Sequence, residues 1–140
     1  MISDKILYDY AMSFVGLPYR WGGDDPMDGF DCSGLVIEIL KSAGLLPAVY
    51  DNTAQGLYRE FMDEALELSE AEFGALCFFG ENLKRITHVG FALDYFRMLE
   101  AGGGNSLTKS DRIASDQNAF VRIRPIANRK DLLLVLHPNP

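Results

Sequence analysis

Two side chains in this sequence have the chemistry to break a covalent bond together: Cys32, in the run FDCSGLV, and His88, in HVGFAL. A thiol attacks as its thiolate, and the partial positive charge at a helix N-terminus lowers a thiol pKa from its usual value of about 8.5. The apolar periodicity that follows Cys32 places it in the first turn of a helix. A lone cysteine is often a small buried hydrophobe instead, but such a residue has no need of the loop rich in Gly and Asp that precedes Cys32, whereas a nucleophile must lie open to a cleft. The proton acceptor comes from a short list, because the chain has only two histidines. His88 opens an apolar strand directly after a loop, so its ring can project from the strand end toward a helix terminus. His137 lies in the terminal HPNP and is expected to fray. An imidazole at position 88 would take the thiol proton, on substrate binding or in a standing ion pair, and return it to a leaving amine, which is the chemistry of amide cleavage. Glu100 follows His88 by twelve residues. If the intervening chain folds back through Asp94 to Phe96, its carboxylate returns beside the imidazole, where it would orient the ring and favour the charged form. The same spacing fits a solvated acid at a strand end.

The elements that must hold these groups are legible from apolar spacing. Ile6, Leu7, Tyr10, Ala11 and Phe14 recur three and four apart after Ser3, a good N-cap, and predict a helix from Ser3 to Phe14 that closes at Gly16. The segment LPYRWGGDDPMDGFD predicts an ordered loop. Leu35, Val36, Ile39, Leu40 and Ala43 form a second stripe ending at Gly44, and Thr53 to Met62 a third, shorter helix. Beyond Glu72, the runs GALCFFG, THVGFALDYFRMLEAGGG and FVRIRPI are rich in aromatic and β-branched residues and predict antiparallel strands. The run DLLLVL fits a strand or a helix equally. Helices in the first half and strands in the second predict an α+β domain, with N-terminal helices packed on one face of a mainly antiparallel sheet. Cys77 is expected in the core of that sheet.

At 140 residues, 48% of them hydrophobic and 24% charged, the chain has the composition of a globular domain, read as a single unit over residues 1–140. Thirteen Lys and Arg against twenty Asp and Glu give a net charge of −7, which argues against a nucleic-acid partner. The densest basic stretch, Arg122, Arg124, Arg129 and Lys130, is expected to be the solvated face of a strand followed by a turn. Two cysteines outside any CxxC pattern argue against a structural metal, and no cofactor is implied. The N-terminus lacks the features of a secretory signal, and no run of about 18 apolar residues is present to span a membrane. The expected site of synthesis is the cytoplasm, with any export, for example by a phage, depending on other components.

The motifs GLPYRWGG at residues 16–23, FDCSGLV at 30–36, TAQ at 53–55, GALCFF at 74–79 and HVGFAL at 88–93 together resemble the NlpC/P60 peptidases, papain-like cysteine hydrolases of bacteria and their phages. The resemblance implies a circularly rearranged papain-like fold. It implies a peptidoglycan stem-peptide endopeptidase, typically cutting between D-γ-glutamyl and diaminopimelate or lysine, or a hydrolase of another γ-glutamyl-type peptide. It also implies Cys32 as nucleophile, His88 as base and Glu100 as third catalytic residue, where the family usually has His, Asn or Gln. By the same resemblance, Tyr19 faces the thiolate and helps hold substrate or the oxyanion with the backbone N–H of Cys32. Asp31 and Ser33 match positions that contact the free amine of the stem peptide, and Trp21, Gly22 and Gly23 match a loop that shapes the cleft. Two other readings remain at this point: a catalytically inactive relative serving as a phage tail or glycopeptide-binding component, favoured by Glu100, and a metal site built on Cys32 and His88.

Overall fold

The structure is a computed structural model that describes residues 3–19, 24–25, 29–102 and 120–138; Trp21, Gly22 and Gly23 lie outside these. Helix α1 (Asp4–Met12) starts where Ser3 Oγ accepts the N–H of Ile6 at 3.2 Å, and it buries Leu7 and Ala11. Helix α2 (Cys32–Ser42) buries Leu35, Val36, Ile37, Ile39 and Leu40, and Gly44 beyond it takes the left-handed backbone angle (φ 81°) that only glycine adopts freely. Helix α3 (Ala54–Phe61) is capped by Thr53 and buries Leu57 and Phe61. All three match the predicted segments to within one or two residues.

The predicted loop before α2 contains a two-residue hairpin, β1 (Asp24–Asp25) paired with β2 (Gly29–Phe30). The main sheet is built from β3 (Leu66–Leu68), β4 (Leu76–Gly80), β5 (Ile86–Ala92), β6 (Arg97–Gly102), β7 (Phe120–Pro125) and β8 (Leu132–His137), in the order β3-β8-β4-β5-β6-β7. Every neighbouring pair is antiparallel. The apolar run DLLLVL is thus a strand, and it lies between β4 and the short edge strand β3, an element too brief to show in the sequence pattern. That neighbour also corrects the expectation for His137. It does not fray: it pairs opposite Leu66, is only 9% exposed, and its Nε2 lies 3.1 Å from the carbonyl oxygen of Phe73.

Strand alternation gives the sheet two faces. Leu76, Phe78, Val89, Phe91, Leu99, Ala101, Val121 and Leu136 join the helices in the main core. Ala75, Cys77, Phe79, Ala92, Met98 and Val135 form a smaller apolar cluster on the opposite face with Ile126, and Cys77 is fully buried there. His88 and Glu100 belong to this second face by their alternation with Val89, Phe91, Leu99 and Ala101. The architecture is the expected one, with the helices packed against an antiparallel sheet.

Candidate active site

Cys32 is the first residue of α2, preceded by Asp31 as N-cap, whose carboxylate accepts the N–H of Gly34 at 2.7 Å. The pairing of β5 with β6 runs through Ala92↔Met98 and Phe91↔Leu99, and nearer His88 the two strands part. The sulfur of Cys32 comes to the strand at that point. Its Sγ lies 4.0 Å from the carbonyl oxygen of Thr87, and the backbone N–H of Val89 bonds to it, so the sulfur touches the backbone on both sides of His88. Burial pushes the half-buried thiol up to about 12, with the Asp31 carboxylate adding to the rise and the N–H groups of Val89 and Ser33 and the cation of Arg129 opposing it. Burial and the capping carboxylate thus oppose the helix charge expected to favour the thiolate.

The β5–β6 hairpin turns at Asp94, whose side chain accepts the N–H groups of Phe96 and Arg97, and it returns Glu100 to His88. His88 Nε2 and Glu100 Oε1 are 2.7 Å apart, with His88 6% exposed and Glu100 fully buried. The solvated-acid reading of Glu100 is overturned. Burial alone would raise its carboxyl, but the hydrogen bonds from His88 and Arg122 and the Arg122 cation outweigh it and hold the group well below its ordinary value, ionised at neutral pH. An ionised carboxylate only accepts, so His88 donates from Nε2 and leaves Nδ1 as the basic nitrogen. Burial lowers the His88 pKa below its ordinary value, against the opposing pull of Glu100, so the resting ring is neutral.

The basic stretch is not a solvated face. Arg122, directly opposite Glu100 in the β6–β7 register, donates Nε–H to Glu100 Oε2 at 3.0 Å, and Arg124 Nη1 lies 3.5 Å from the same oxygen. Arg129 pairs with Asp131 and packs over the Phe79 ring, 5.1 Å to its centroid, while Phe79 in turn packs on His88 at 5.6 Å. The sequence signal for Arg122 was there in the i, i+2 spacing of Arg122 and Arg124 on one strand face, but it has meaning only with Glu100 as its neighbour.

Tyr19 is tied to the approach to Cys32 by a bridge to Phe30, reinforced where Phe30 N–H donates to the carbonyl of Pro18 at 3.4 Å. Burial, then the nearby Cys32 and Asp31, push the Tyr19 phenol well above its ordinary range, so it remains a proton donor. Ser33 is buried and its hydroxyl lies 3.4 Å from the Asp31 carboxylate, so the two are engaged with each other and with the helix N-terminus. Gln55, from the TAQ run, had no assigned task in the sequence. Its side chain accepts the N–H of Ile86 at 2.8 Å and donates to the carbonyl of Leu83 at 2.9 Å, fixing the start of the strand that carries His88. Gln55→Ala leaves a half-buried N–H without its partner and is expected to cost about 1–3 kcal/mol of stability; a shift of the urea midpoint at constant m-value measures it. Among the described residues, no three His, Cys, Asp or Glu side chains come together to hold a metal, and no helix is long and apolar enough to cross a membrane.

The sequence profile of the NlpC/P60 family matches residues 16–124, the stretch that holds every residue of this site except Arg129 and Asp131. The chain belongs to the NlpC/P60 family. It is 37% identical over 93 residues to the bifunctional muramidase/DL-endopeptidase CwlT of Bacillus subtilis, covering 65% of this chain and 27% of that protein. It is 40% identical over 75 residues to the murein DD-endopeptidase MepH of Escherichia coli, covering 54% of this chain and again 27% of the relative. The chain therefore spans about a quarter of the length of these two relatives. Among solved structures, an NlpC/P60 protein of Bacillus cereus superposes with a TM-score of 0.74 at 22% identity, over 99% of this chain and 41% of that one. RipD of Mycobacterium tuberculosis, described as a non-catalytic NlpC/p60 domain protein, superposes at 0.68 with 20% identity, over 96% and 95% of the two chains. These likenesses establish the papain-like NlpC/P60 fold. The same fold exists with and without catalysis, so function rests on the side chains of the site.

Proposed function

We propose that this NlpC/P60 chain is a cysteine endopeptidase that hydrolyses an amide bond of a peptidoglycan stem peptide, most simply the one that follows a D-γ-glutamyl residue. The observation that carries this reading is the buried His88–Glu100 pair seated where the Cys32 sulfur meets β5. The names of its relatives support the substrate class and divide over the bond, since one is a DL- and another a DD-endopeptidase. Catalysis starts from the neutral pair. As Cys32 Sγ attacks the carbonyl carbon, His88 Nδ1 takes the thiol proton, and Glu100 stabilises the imidazolium that forms. The oxyanion would be met by the Cys32 backbone N–H, one of the leading helix amides with no intrahelical partner, and by the protonated Tyr19 hydroxyl. The imidazolium then protonates the leaving amine, and water, deprotonated by the same ring, hydrolyses the thioester and restores the thiol. Asp31 and Ser33 would receive the free amine of the stem peptide, and residues 1–140 would act as one catalytic domain.

The test is to incubate the protein with purified muropeptides and with short γ-glutamyl peptides and identify the products by mass. Cleavage beside the γ-linked residue, abolished by Cys32→Ala, is expected. A second reading, a peptidoglycan-binding module without turnover, is favoured by one observation: Glu100 stands where the family usually has His, Asn or Gln. It takes precedence if wild type and Cys32→Ala leave every substrate equally intact.

A further inference from the structure

We propose that Arg122, backed by Arg124, is a positioning residue that makes a buried glutamate serviceable as the partner of His88. This deepens the functional reading above and rests on it. The problem Arg122 answers is set by Glu100 itself. A fully buried carboxylate beside an imidazole has two ways to escape its desolvation. It can take up a proton and become a donor, in which case it no longer holds the Nε2–H tautomer. Or it can draw a proton onto the ring and leave a standing imidazolium, which has no lone pair with which to accept the thiol proton. Either outcome removes the base.

The geometry closes both routes. Glu100 Oε2 accepts from Arg122 Nε at 3.0 Å and faces Arg124 Nη1 at 3.5 Å, which leaves Oε1 for His88 at 2.7 Å. The carboxylate is thus divided between one oxygen for the cations and one for the ring. The guanidinium groups keep it ionised, and by cancelling its charge they keep it from over-stabilising the imidazolium. The Glu–Arg unit presents to His88 what a neutral amide would present: an acceptor of fixed direction with little net charge. The cross-strand register makes this possible, because Arg122 sits directly opposite Glu100 and Arg124 two residues on along the same face. Gly102, two residues from Glu100, keeps room for it, since a Cβ there would come within 3.1 Å of Oε2. The other groups that face His88 are Phe79 from β4, and Arg129 and Asp131 from the β7–β8 connection; those three are unchanged by substitutions on β7.

The measurement is the titration of the His88 ring by NMR in protein labelled at histidine, with His137 as the internal reference, alongside the pH profile of kcat/KM on a γ-glutamyl peptide. Arg122→Met is expected to raise the pH at which the His88–Glu100 pair takes up its proton by about one unit, and Arg122→Met with Arg124→Met to raise it further. The acid limb of the activity profile moves up in step. Arg122→Lys keeps the charge and is expected to titrate close to wild type, reversing most of the shift, and it covers the case in which the methionine variants do not fold. In a Glu100→Gln background, where Arg122 has no carboxylate to hold it and can turn to solvent, Arg122→Met is expected to move the titration of His88 by much less. A folded double methionine variant that titrates like wild type would sink the proposal, as would an equal shift in the Glu100→Gln background or, were the methionine variants unfolded, a folded Arg122→Lys variant whose His88 titrates a full unit above wild type despite keeping the charge. Because the ring titration needs no turnover, it separates the two readings: a shift in a protein that cleaves nothing keeps the arginine clamp and rejects the endopeptidase.

Discussion

His88→Ala is expected to lower the rate of amide hydrolysis by about 10²- to 10⁴-fold, the span that a positioned general base contributes. The direction follows from the state of the sulfur. With burial raising the Cys32 thiol well above its ordinary value, little thiolate is present at neutral pH. A nucleophile so scarce depends on a base that removes the proton during attack. The pH dependence has a definite sign. His88 must be neutral to act, and its pKa lies below the ordinary 6.5, so activity appears as pH rises through a value lower than that of a free histidine. Alkylation of Cys32 by iodoacetamide checks the resting state without substrate. Its rate should climb about tenfold per pH unit from pH 6 to 9, because it follows the thiolate fraction well below the thiol pKa. A plateau at neutral pH would instead reveal a standing thiolate–imidazolium pair, and the His88→Ala variant would then lose reactivity toward iodoacetamide as well.

Much of this site was readable before any coordinates, for reasons that differ residue by residue. Cys32 and His88 belong to types that occur only twice each in the chain and sit at element boundaries marked by Gly, Asp and apolar periodicity, so local pattern located them. Glu100 was reachable through the hairpin, because Asp94 and the two flanking apolar runs fix the turn and hence the return. Its burial was not reachable, since that depends on Arg122, which is brought into register by a strand arriving after a long connection. Spacing along the chain says nothing about which strand becomes the neighbour of β6. His137 and β3 failed for the same reason: a three-residue edge strand has no periodicity to read, and the strand pairing of His137 is made with that element. The thiol pKa went astray for a different cause. The helix N-terminus was visible, but the carboxylate of its own cap and the desolvation by β5 act in the opposite direction, and only the folded arrangement shows which prevails.

Phe91→Ala is expected to cost about 3–5 kcal/mol of stability, the range for deleting a buried phenylalanine ring. Phe91 is fully buried on the helix-facing side of β5, where its ring meets Phe73 edge-on at 5.6 Å and its neighbours across the strands are Leu76 and Leu99. Leu76 and Leu99 belong to strands with a hydrogen-bonded neighbour on both sides, so they have little freedom to collapse into the space. Set against a total of about 5–15 kcal/mol for an ordinary domain, the loss is a large fraction of what holds the molecule folded. Cys77→Ala, on the opposite face, removes one buried sulfur from a small cluster and is expected to cost well under half as much. Urea denaturation of the two variants measures the difference, with equal m-values required for the comparison. A Phe91→Ala cost below about 1.5 kcal/mol would mean that β5 shifts to fill the void. His88, three residues along the same strand, would then move with it, and kcat per folded molecule would fall together with stability; if β5 holds its place, kcat survives the cavity.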